Sequence, residues 1–62
     1  MSDVIVTTRL NDAEARALAE FVKRVGWNEI RSNAIDDTEA YLMRAALEHL
    51  RRGLADEGYS PR

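Results

Sequence analysis

His49 is the only histidine among the 62 residues, and Glu48 beside it makes this pair the first place to look for proton transfer. Adjacent residues on a helix do not face one another, so the two cannot act as a dyad. General acid–base or nucleophilic catalysis needs a second group within hydrogen-bond reach. No serine shares the helix that carries His49, and Ser60 lies beyond its end. There is no cysteine, which removes a thiolate nucleophile and thiolate–zinc ligation together. Glycine-rich phosphate loops and paired-histidine zinc motifs are absent as well. The densest run of like charge is Asp36, Asp37 and Glu39, whose oxygens could hold magnesium. Acids at that place in a helix are already accounted for, because they satisfy free N–H groups and the positive end of the dipole. A calcium loop would need acids at alternate positions, then a glycine and a distal glutamate, and that pattern does not occur. The expectation is a protein with no catalytic residues, no metal and no cofactor: not an enzyme.

What must position these residues is a single small domain, residues 1–62. A chain of this length buries only about 60% of its unfolded surface, so its own core is marginal. Without disulfides, stability has to come from good helix packing or from association. A hydrophobic content of 45% beside 32% charged residues describes a folded domain and not a disordered tail. The net charge of -2 leaves no basic excess for phosphate. Eight of the nine basic residues are arginine, Lys23 being the exception, and among eleven acids most should form surface ion pairs. The opening stretch carries Asp3 and only three consecutive apolar residues, too few for a secretory or membrane segment. A cytoplasmic protein is expected.

The fold class expected is mainly α, with a short strand at the start. Residues 4–10 alternate in the strand sense: Val4, Val6, Thr8 and Leu10 point one way, Ile5, Thr7 and Arg9 the other. A lone strand leaves its backbone unpaired, so it pairs with a second copy, adds to a partner's sheet, or stays a loose arm. Helix one, about 12–25, is announced by Asn11 and Glu14, an asparagine capping box. Its apolar face is Ala15, Leu18, Phe21, Val22 and Val25. Gly26 is placed as a left-handed stop, with Trp27 returning onto Val22 as a core plug. Residues 28–34 can form a short helix capped by Asn28, with Ile30 and Ala34 inward, or an ordered loop. The second main helix, about 37–57, has Asp36 and Glu39 at its start and an apolar row of Met43, Ala46, Leu47, Leu50 and Leu54. Tyr41, Leu42 and Ala45 widen that row to one side. Gly53 interrupts it at a cost of about 1 kcal/mol relative to alanine. Gly58 and Tyr59 repeat the glycine–aromatic stop, Tyr59 reaching Leu54, and Pro61 blocks continuation.

Two resemblances follow. The first covers Val6, Thr7, Thr8, Arg9, Leu10 and Asn11, then Leu18, Phe21, Val22, Val25 and Gly26. Strand, cap, helix length and glycine at these distances resemble the ribbon-helix-helix DNA-binding proteins. The resemblance implies a homodimer whose two strands pair as a ribbon in the major groove. It also implies that Ile5, Thr7 and Arg9 face base edges, with Arg9 suited to guanine. The chain departs from that pattern where residues 27–36 separate the glycine from the later helix, which opens on acids that repel phosphate.

The second resemblance spans the chain through the run from Phe21 to Trp27, the run from Asp36 to Met43, and the ending Gly58, Tyr59, Ser60, Pro61, Arg62. In size, acidity and lack of cysteine it is similar to compact proteins of phages and other mobile elements, anti-CRISPR proteins among them. That resemblance implies a non-enzymatic inhibitor that blocks a nucleic-acid-handling CRISPR-Cas effector complex in a host bacterial cytoplasm. Its partner surface would be Asp36, Asp37 and Glu39, extended by Glu29, Asp56 and Glu57. This inhibitor is the first expectation and the DNA-binding repressor the alternative.

Overall fold

The computed structural model describes residues 3–60. Pro61, expected to block the last helix, lies outside them. Three helices follow one another: α1 Asp12–Arg24, α2 Trp27–Ser32 and α3 Asp37–Asp56. Both α1 and α2 pack on α3, which is therefore the spine of the molecule.

The capping box of α1 forms as its residue types require. The Glu14 N–H donates to Asn11 Oδ1 at 2.8 Å, and the Asn11 N–H donates to Glu14 Oε1 at 2.9 Å. At the start of α3, the Glu39 N–H donates to Asp36 Oδ1 at 2.8 Å. The Glu39 carboxylate reaches one residue further back than a capping box does, accepting from the Ile35 N–H at 3.1 Å. The end of α3 is closed by Gly58, whose φ of 95° is left-handed. Tyr59 N–H donates to Leu54 O at 2.8 Å and Gly58 N–H to Ala55 O at 3.0 Å, the paired bonds of a Schellman stop. Tyr59 folds back beside Leu54, as expected.

Gly26 differs from expectation. It is extended, with φ -98° and ψ 170°, and serves as the N-cap of α2. Glu29 is the reason: its carboxylate accepts the Gly26 N–H at 3.0 Å, so the chain leaving α1 is captured directly by the next helix. Helix α2 is too short to stand alone. Ile30 is buried beneath it, and Trp27 lies against Tyr41 on α3 with ring centroids 4.8 Å apart. Trp27 is thus a half-buried brace, not a core plug.

The core itself is small. Ala15, Ala19, Val22, Ile30, Ala40 and Leu54 are the buried apolar residues. Ala15 and Ala19 of α1 pack with Leu54 of α3, and their small side chains let the two helices lie close. Of the apolar row expected for α3, only Leu54 is buried; Met43 and Leu47 are half-buried, Ala46 and Leu50 exposed. Phe21, expected inside, is 56% exposed.

The expected strand at residues 4–10 does not form. No residue described is in a strand, because a strand exists only by pairing, and this chain has no second segment of strand character to pair with. Residues 3–10 run as an exposed segment into the cap of α1.

Candidate functional site

The residues singled out above lie on the arm before α1, on α2 (Glu29), at the start of α3, along it (His49) and at its end. On the arm, Ile5, Thr7 and Arg9 are all exposed. Val4 and Val6 are exposed too, at 84% and 81%, so both sides of the arm meet solvent. A hollow of about 760 Å³ runs between the arm and the helices, bordered by Val6, Leu10, Leu50, Gly53, Leu54 and Tyr59. The arm therefore lies along α3 without being packed onto it.

The acids expected to form one partner surface are separated by the fold. Asp36 and Glu39 accept backbone N–H groups of their own helix start. Asp37 accepts from Arg31 Nε at 2.6 Å, and Arg31 also donates to Ala34 O at 3.2 Å. Glu29 is committed to Gly26. Asp56 and Glu57 stand at the far end of the 20-residue α3, about 30 Å away at 1.5 Å per residue. Four of the six carboxylates are thus occupied in holding helix ends together, and the other two belong to another part of the surface. No group of three metal-ligating side chains converges among the described residues. His49 is exposed on α3.

One polar constellation was not legible in the sequence. Tyr59 Oη donates to Asp12 Oδ1 at 2.7 Å across 47 positions. Arg16 donates from Nε to Asp12 Oδ2 at 3.3 Å, and its guanidinium sits 6.0 Å from the centre of the Tyr59 ring. The Tyr59 hydrogen bond, with Arg16 behind it, lowers the Asp12 carboxyl below its ordinary value. The same bond raises the Tyr59 hydroxyl. This clasp ties the C-terminal stop of α3 to the first turn of α1. No spacing rule connects two residues so far apart.

The second region missed is apolar. A groove of about 550 Å³ opens between the helices, lined chiefly by Phe21, Val25, Ile30, Met43, Leu47 and Leu50. Phe21 and Leu50, which line it, are 56% and 40% exposed. The signal was present in the apolar faces of α1 and α3, which supply Phe21, Val25, Met43, Leu47 and Leu50 to its lining.

All 62 residues match a protein family described as a family of unknown function (DUF7706). The chain belongs to that family. No curated protein and no solved structure matches it. Among the described residues of this family member, no helix is long and apolar enough to cross a membrane.

Proposed function

We propose that this chain is a non-enzymatic, cytoplasmic DNA-binding regulator. It acts as a homodimer whose paired arms form a two-stranded ribbon, in the manner of the ribbon-helix-helix proteins its first half resembles. The observation that carries this reading is the arm itself. Residues 3–10 are exposed and unpaired, immediately ahead of a capped helix, and alternate between two chemically different sides. Antiparallel pairing with a second arm satisfies the backbone of both. It turns Val4, Val6, Thr8 and Leu10 toward the helices and Ile5, Thr7 and Arg9 outward. A ribbon of this width fits the major groove of about 12 Å, and an arginine can bond guanine O6 and N7 together. The acids at the start of α3 weigh less against DNA than their count suggests, since each is engaged locally.

Selection from a random duplex pool, followed by binding measurements at several salt concentrations, tests the proposal. A specific site is expected, with affinity falling as salt rises. Arg9→Ala should weaken that site roughly tenfold or more, the equivalent of one lost bidentate contact, without changing the solution mass. Enrichment of no sequence, or binding indifferent to Arg9 and Thr7, contradicts it.

A second reading is an inhibitor of a CRISPR-Cas effector complex. It is favoured by the exposure of Asp36 and Asp37 together at one corner. Replacing Asp36, Asp37 and Glu39 by lysine should then abolish binding to a Cascade-type complex; unchanged binding contradicts it.

A further inference from the structure

The hollow between the arm and α3 has apolar side chains on both of its walls. The run from Val6 to Leu10 borders it on the arm side, and Leu50, Gly53 and Leu54 border it on the α3 side. Val6, Leu10 and Leu50 are all exposed, so both walls stay wet across a space of about 760 Å³. Expelling water from between two such walls is favourable.

Gly53 stands in the middle of the α3 wall. Leu50 lies three residues before it and four before Leu54, so the three share one side of the helix. Glycine inside a helix disfavours it roughly fivefold relative to alanine, and it suits a place where another backbone comes close. A Cβ added to Gly53 would meet nothing within 4 Å among the described residues. The wall therefore has a notch between its leucines, and no neighbour fills it. The segment able to fill it is already alongside. The arm runs past the hollow over five consecutive residues and is held at its far end by the Asn11 cap of α1, which serves as a hinge.

We infer that the arm is a strap hinged at Asn11, and that it closes over the Gly53 notch of its own chain, seating Val6 and Leu10 against Leu50 and Leu54. Side chains of an extended segment alternate, so Ile5, Thr7 and Arg9 then stay on the outer side. The strap thus sets which side of the arm the molecule presents before any partner arrives. Closure needs one chain only. It does not rest on the DNA reading and holds for an arm that binds nothing.

The chain has no cysteine, so an introduced pair reports on closure. With Val6→Cys and Gly53→Cys, mild oxidation should form a disulfide within one chain, because closure brings the two Cα atoms inside the roughly 7 Å that a disulfide spans. One control moves a cysteine to the other side of the arm, pairing Ile5→Cys with Gly53→Cys. A second moves it off the notch to exposed Arg52, pairing Val6→Cys with Arg52→Cys. Both controls should link roughly tenfold more slowly, the population ratio set by burying about one valine side chain. Trypsin gives an independent reading, since it cuts after Arg9 on the arm. Gly53→Gln improves the helix but fills the notch, so cleavage after Arg9 should run about tenfold faster than in the native chain, following the open population. If the cysteine pairs do not fold, the protease comparison decides alone. Equal linking in all three pairs, linking between chains instead of within one, or unchanged cleavage in Gly53→Gln overturns the strap. Fast Val6–Gly53 linking in a chain that selects no duplex keeps the strap and removes the DNA reading. A selected duplex with equal linking rates removes the strap alone.

Discussion

At the scale of single residues, polar side chains here spend themselves on helix ends. Asn11 and Glu14 close α1 from both directions, so Asn11→Ala should lower stability by about 1 kcal/mol, the typical worth of such a cap. A denaturant titration checks this as a lowered midpoint with unchanged slope. Glu48 gives the clearest acid dependence. Its hydrogen bonds with Arg51 hold its carboxyl down from the usual 4.5 to about 2. A depressed carboxyl stabilises the fold above its unfolded value and loses that contribution as pH falls through its folded value. The stability difference between the native chain and Glu48→Gln should therefore be constant above about pH 5 and vanish between pH 4.5 and about 2. Both partners are half-exposed, so solvent screening keeps the difference small. A gap that widens on acidification would contradict the assignment.

At the scale of elements, the helices were largely legible because their punctuation is chemical. Asn11 with Glu14 and Asp36 with Glu39 marked the starts, and Gly58 with Tyr59 marked the final stop. Expected bounds of about 12–25 and 37–57 became Asp12–Arg24 and Asp37–Asp56. The errors have a common physical origin, since each depended on a partner rather than on local spacing. Gly26 was expected to be left-handed, but Glu29 captures its N–H and begins α2 there. Phe21 and Leu50 fit an inward row, yet Ala15 and Ala19 of α1 pack with Leu54 of α3 and leave them outside. The residues of the arm have strand character and no strand to join. Helix α2 depends on what it leans against. Tyr41→Ala removes the ring beside Trp27 and should cost about 0.5–1.5 kcal/mol, the worth of an aromatic pair. Trp27 is the only tryptophan, so its fluorescence reports directly: emission should shift to the red as α2 loosens. An unchanged spectrum would mean that Ile30 alone holds α2.

At the scale of the whole molecule, a sparse core lies beside exposed apolar surface at Phe21, Leu42 and Leu50. Ala40 is the most enclosed core residue, and the largest buried side chains are those of Ile30 and Leu54. In the homodimer proposed above, the second copy supplies the pairing that the exposed arm lacks among the described residues. Folding and association are then linked, and thermal stability should rise with protein concentration by mass action. Sedimentation equilibrium over a dilution series tests this claim most directly. The predicted result is a mass of twice 7.0 kDa that gives way to the single-chain mass on dilution. A single-chain mass with undiminished helical signal at every concentration would contradict it.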